Sequence, residues 1–154
     1  MFATPERLQS IAEAIASTGA GAVITGLEPR EFGKLPDEVV AHHFVPQSIL
    51  LPHVDAVICH AGASTLFGAL AHGLPLLLMP LSADHFANAG AAVRRGVAVA
   101  LEADADTRSI EAALARVLFD PDLRRSATAV ATEIAAMPSA GAAADGILAW
   151  LGEP

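Results

Sequence analysis

Three short stretches hold residues whose types and spacing could grip a phosphorylated ligand. In His60-Ala61-Gly62-Ala63-Ser64-Thr65, small residues lie between an apolar run and a helix-forming segment. Gly and Ala let a ligand approach the backbone, and a helix N-terminus offers free N–H donors and a partial positive charge. Ser64 and Thr65 add hydroxyls, and His60 can donate an imidazole N–H to a phosphate oxygen. In Leu81-Ser82-Ala83-Asp84-His85, with Asn88 one helical turn on, Asp84 can accept hydrogen bonds from vicinal hydroxyls, which suits a sugar. In Phe44-Val45-Pro46-Gln47, Phe44 could stack on a planar base and the Val45 backbone could pair with its edge. Each stretch also has a plainer reading: Ser64 as a helix cap, His60 as a satisfied strand-end histidine, Asp84 as a first-turn acid, and Phe44 as core.

The elements that must position these residues alternate along the chain. Thr4-Pro5-Glu6 starts a helix with a hydroxyl cap and a proline at its first position, and Gly19 or Gly21 ends it. Strands are expected at Ala22 to Thr25, Val39 to Phe44, Asp55 to Cys59, Pro75 to Met79 and Val97 to Leu101. Residues 26 to 37 form a loop, and Pro46 to Leu51 one or two helical turns. Helices are expected from Ser64 to His72, Ser82 to Arg95, Thr107 to Phe119, Pro121 to Met137 and Ala140 to Trp150. The middle of the 55–59 strand is apolar throughout, as in a strand buried on both faces. Alternation at this pitch implies an α/β fold, a parallel sheet with helices on both faces, and one domain over residues 1–154. Ligands in such folds bind beyond the carboxyl ends of the strands, where all three stretches fall.

Composition narrows the function. The chain has 154 residues, 53% of them hydrophobic, enough for one buried core. Mean hydropathy is +0.49, yet the longest apolar stretches, Leu74 to Met79 and Val97 to Leu101, are strand-sized, so no membrane span is expected. Met1 to Arg7 lacks a basic region followed by an apolar run, and a cytoplasmic location is the expectation. A net charge of −8 argues against a nucleic-acid partner but leaves room for a small phosphorylated ligand held by backbone N–H groups. The single Cys59 excludes an intrachain disulfide and a cysteine-based zinc cluster. A nicotinamide-dependent dehydrogenase is disfavoured, because no Gly-x-Gly-x-x-Gly follows a strand.

Order and spacing add a resemblance. Phe44-Val45-Pro46-Gln47, Leu50-Leu51-Pro52, Val54-Asp55-Ala56-Val57, His60-Ala61-Gly62, Ser64-Thr65, Ala69-Leu70, Gly73-Leu74-Pro75, Met79-Pro80, Asp84 and Asn88-Ala89 look like the donor-binding signature of family 1 glycosyltransferases. The similarity is to bacterial members that glycosylate natural products, and it covers residues 44 to 89. It implies a Rossmann-like domain, the C-terminal half of a GT-B fold, with the acceptor-binding N-terminal half outside this chain. By resemblance, His60 and the stretch Ala61, Gly62, Ala63, Ser64 and Thr65 hold the donor diphosphate. Phe44 stacks on the base and Val45 contacts its edge, Gln47 is a further donor-binding residue, and Asp84 with His85 holds the sugar.

The resemblance further implies an inverting hexosyl transfer from a UDP- or dTDP-sugar to a small-molecule hydroxyl, with no metal and no cofactor. The base that deprotonates the acceptor would be a histidine of the N-terminal half, so no catalytic residue is assigned here and the isolated chain is expected to be inactive. The alternative is a non-catalytic nucleotide-sugar-binding remnant or split subunit. Two residues depart from the family pattern: Gly68 stands where many members place a ribose-binding Glu, and His85 where Gln is usual. Members also open this domain with a strand that has no counterpart ahead of Thr4. The expectation is a sheet apparently lacking its first strand. In that sheet the 22–25 and 55–59 strands flank a vacancy, and the chain is expected either to close it by pairing with a second copy or a partner chain or to be marginal and aggregation-prone.

Overall fold

The computed structural model describes residues 4–26 and 33–152, so most of the expected 26–37 loop, residues 27–32, lies outside the described residues. Helix α1 spans Pro5–Ser17. The Thr4 hydroxyl caps it by accepting from the Arg7 amide at 3.3 Å, and Gly19, at φ 76°, turns the chain out of it. Strand β1 (Ala22–Thr25) pairs in parallel with β2 (Val39–His42), Ala22 opposite Val39. A short helix α2 (Gln47–Leu50) and a 3-10 turn (Leu51–His53) lead to β3 (Val57–Cys59). Then follow α3 (Ala63–Ala71), β4 (Leu76–Leu78), α4 (His85–Arg94) and β5 (Ala98–Ala100). Helices α5 (Thr107–Phe119), α6 (Pro121–Ala135) and α7 (Ala140–Gly152) complete the chain.

Strand β4 is the centre of a parallel three-stranded sheet, ordered β3-β4-β5. Its three leucines are 0% exposed, and strand alternation sends them to two different cores. Leu76 and Leu78 pack with Leu66, Ala69 and Leu70 of α3, Ala89 and Ala92 of α4, and Ala127 of α6. Leu77 packs on the opposite face with Ile11 and Ile15 of α1 and Ile110, Leu114 and Val117 of α5. Helices therefore cover both faces, as the alternating pattern predicts. The small residues of α3 and α6 allow close packing: Gly73, at φ 68°, ends α3 so near α6 that a Cβ there would sit 3.5 Å from the Thr128 Cα.

The boundaries shift in two informative places. The helix expected from Ser82 begins at His85, because Ala83 adopts φ 51° and breaks the run. The helix expected from Ser64 begins one residue earlier, with Gly62 as its N-cap and no side-chain cap, so Ser64 does not cap it. Strands β3, β4 and β5 are each three residues long, two shorter than expected.

Strands β1 and β3 belong to separate sheets. Ala22 of β1 and Ile58 of β3 nevertheless pack against one core cluster, under α1 and α5. Val23 is exposed and all of β3 only half-buried, in contrast to β4. Helix α7 buries none of its residues and leaves Ile147, Leu148, Trp150 and Leu151 exposed. No single helix among the described residues is long and apolar enough to cross a membrane; α6 and α7 reach that length only as a pair bent by 46°.

Candidate functional site

The three stretches follow the carboxyl ends of β2, β3 and β4, and side-chain bonds tie them to one another. Gln47, at the start of α2, donates through Nε2 to the Thr65 hydroxyl of α3 at 2.9 Å. Gly68 makes room for this: a Cβ at position 68 would meet Gln47 Oε1 and Leu51 Cδ1, each at 3.3 Å. A glutamate at position 68 would have to push both aside. Asn88 donates through Nδ2 to the Ala61 carbonyl and to Asp84 Oδ2, both at 3.0 Å, and so joins the β3 loop to the β4 loop.

The centre of the arrangement is the start of α3. The first intrahelical bond runs from the Leu66 amide to the Gly62 carbonyl at 3.0 Å, which leaves the N–H groups of Ala63, Ser64 and Thr65 ahead of the hydrogen-bond ladder. These donors and the helix dipole make an anion-binding position, and Gly62 as N-cap leaves no side chain over it. Ser64 is exposed and Thr65 half-buried there.

His60 stands beside this position. Its ring packs over the Gly62 backbone so closely that a Cβ on Gly62 would lie 3.1 Å from His60 Cδ2 and nearer still to Nε2. The same ring meets His85, with ring centroids 4.6 Å apart and planes tilted by 55°. Burial holds the His60 imidazole below its ordinary pKa, charge on His85 acts in the same sense, and the Asp84 carboxylate opposes both. His85 is buried, whereas Asp84 is exposed at the N-cap of α4. Asp84 caps no amide with its side chain, so its carboxylate reaches outward to Asn88 and to solvent.

Between His60 and Gly62, Ala61 is 0% exposed and adopts φ 68°. A non-glycine residue in the left-handed region costs about 1–3 kcal/mol and persists where surrounding bonds hold it. Nothing about an alanine signals this in a sequence. Phe44 is 75% exposed just past β2, which overturns its plainer reading as a core residue, and Val45 beside it is half-buried. Among the described residues, no group of three or more His, Cys, Asp or Glu is placed to hold a metal ion. The cavity lined by Thr18, Gly19, Ala20, Asp55, Phe119 and Arg124 lies at the amino ends of β1 and β3, away from these loops.

Residues 9–149 match the model of the erythromycin biosynthesis protein CIII-like C-terminal domain. The chain belongs to that family. It is 36% identical over 126 residues to tylactone mycaminosyltransferase of Streptomyces fradiae, covering 76% of this chain and 27% of that protein. It is 37% identical over 125 residues to oleandomycin glycosyltransferase of Streptomyces antibioticus, covering 80% of this chain and 29% of that one. The chain thus spans less than a third of the length of these curated relatives. Among solved structures, spinosyn forosaminyltransferase SpnP superposes with a TM-score of 0.89 at 25% identity, over 96% of this chain and 40% of SpnP. Glycosyltransferase VinC in complex with dTDP superposes with a TM-score of 0.79 at 31% identity, over 86% of this chain and 34% of VinC. The CIII-like domain has the fold of the C-terminal half of a GT-B glycosyltransferase, as the signature from Phe44 to Asn88 implies.

Proposed function

We propose that this domain binds the UDP- or dTDP-sugar donor of a glycosyltransferase that transfers a hexose to a small-molecule hydroxyl. The observation that carries the proposal is the start of α3, where three amides ahead of the helical ladder, an uncapped glycine N-terminus and the His60 ring meet at the carboxyl end of the sheet. A diphosphate set there has its charge met by the helix N-terminus and by an imidazole donor, and needs no metal or cofactor to do so. Phe44 stacks on the base, the Val45 backbone meets its edge, and Gln47 joins that side of the site to Thr65. Asp84 and His85 face the sugar.

The same donors stabilise the diphosphate as it leaves, an electrostatic contribution to the transition state. The acceptor hydroxyl and the base that deprotonates it belong to the other half of the GT-B cleft. The relatives' names as glycosyltransferases of natural products, and the dTDP held by VinC, support this assignment. The split-subunit alternative has no observation in its favour.

Calorimetry with dTDP and UDP tests the site. Loss of the charge-assisted hydrogen bond in His60→Ala is expected to cost about 1.5–3 kcal/mol, roughly tenfold to a hundredfold in Kd. Unchanged affinity in His60→Ala, with amide shifts on titration confined to α5–α7, would show that the nucleotide binds elsewhere.

A further inference from the structure

We propose that Asn88 is a positioning residue that locks the phosphate-facing loop and the sugar-facing carboxylate into one arrangement. The inference rests on the donor-site assignment above and extends it to a residue that touches neither part of the donor. Three observations carry it. The Nδ2 atom of Asn88 lies 3.0 Å from the Ala61 carbonyl and 3.0 Å from Asp84 Oδ2, so each of its two hydrogens has an acceptor. The reversed amide would place an oxygen against two acceptors, so the orientation is determined by the bonds themselves.

The second observation is what the first bond holds. Ala61 is buried in the left-handed region, a conformation alanine leaves when nothing retains it. Its two peptide planes fix the backbone on either side, at His60 and at the Gly62 that caps α3. The third is where the second bond goes: Asp84 precedes α4 and makes no capping bond of its own. Asn88 sits one turn into α4, so Asp84 is held to the helix that follows it and, through one amide, to the loop after β3. Diphosphate and sugar contacts thus share a common anchor, and a change at position 88 alters both.

The test uses dTDP, a dTDP-sugar and two variants, with unfolding midpoints recorded alongside. Asn88→Ala is expected to weaken dTDP itself by about tenfold, although no part of Asn88 is placed at the nucleotide. Asn88→Asp is expected to be equally weak at pH about 8, where its carboxylate faces the Ala61 carbonyl and the Asp84 carboxylate. Its deficit relative to the wild-type chain should shrink as the pH falls to about 4, near the ordinary range of a carboxyl, because a protonated carboxyl can again donate to one of them. The Asn88→Ala deficit should not shrink. Should Asn88→Ala fail to fold, Ala61→Gly is combined with it, since glycine takes φ 68° without penalty, and the dTDP deficit is then read against Ala61→Gly alone.

Wild-type affinity in Asn88→Ala overturns the inference, and so do equal, pH-independent deficits in both variants, which would mark a packing role only. A wild-type chain that binds neither dTDP nor the dTDP-sugar overturns the donor-site assignment first. Binding by the wild type that the variants match overturns only the role of Asn88.

Discussion

His60 and His85 face each other across the site with ring centroids 4.6 Å apart, and a proton on one ring opposes a proton on the other. With burial acting in the same direction and Asp84 against it, His60 stays neutral further into the acid range than an ordinary histidine. A diphosphate bound at the proposed site would bring negative charge to the ring and raise its pKa. Affinity for a nucleotide sugar should therefore rise as pH falls through the bound-state pKa, and level off once pH is below the lowered free-state value. A nucleotide sugar is the appropriate probe because its diphosphate diester keeps a fixed charge over pH about 8 to 5. Calorimetry should show this slope in the wild-type chain and its loss in His60→Ala. The same slope in both would place the proton uptake on another group.

Base and sugar should separate by mutation. Phe44 is exposed past β2, so Phe44→Ala should weaken dTDP and a dTDP-sugar alike, each by about 1–3 kcal/mol, the range of base–aromatic stacking. Asp84→Ala should weaken the dTDP-sugar and leave dTDP nearly unchanged, since hydroxyls are its proposed partners. An equal loss on the sugar-free ligand would remove Asp84 from the sugar subsite.

The divided sheet makes a prediction about amide exchange. Ala22 and Gly26 donate toward the β2 side, to the Glu38 and His43 carbonyls, so the Val23 amide between them points to the other edge. Val57 donates to Pro75, beside β4, and the Ile58 amide correspondingly points away from β4. Neither amide has a strand partner among the described residues, whereas Leu77 lies in the paired centre of the sheet. Hydrogen exchange should be at least about a hundredfold faster at Val23 and Ile58 than at Leu77. Protection at Ile58 equal to that at Leu77 would mean that another segment, or a second copy of the chain, pairs along β3.

The core should respond more to β4 than to either of those edges. Leu77→Ala removes a fully buried side chain between α1 and α5 and should cost about 2–5 kcal/mol in denaturant unfolding. Val23→Ala, at an exposed position, should cost well under half as much. Equal costs would show that the sheet edge is covered in solution.

The elements were legible in the sequence wherever a single short-range signal decides them. Thr4-Pro5 and Asp120-Pro121 mark helix starts, and Gly73 and Gly96 mark helix ends, because caps and left-handed glycines act over a few residues. The order of Phe44, His60, Ser64 and Asp84 along alternating strands and helices put all four beyond the carboxyl ends of strands, which is where the fold has them. The start of α4 was misplaced because Ala83 takes a conformation that its side chain does not advertise. Ser64 has the right chemistry for a cap, but the chain enters α3 one residue early, and Gly62 occupies that position instead. The ties from Gln47 to Thr65 and from Asn88 to Ala61 cross 18 and 27 residues, and only the folded sheet brings those partners together.

The packing of the His60 ring over Gly62 also orders the steps by which this site can change. A lineage that first replaces His60 leaves position 62 unobstructed, and a later side chain there meets no ring. The reverse sequence begins with a methyl driven into the imidazole, which must swing away from the start of α3 before any benefit can follow. The histidine thus shields the glycine from drift. In descendants of this chain, a residue other than glycine at position 62 should be a sign that the imidazole has already been lost or redirected.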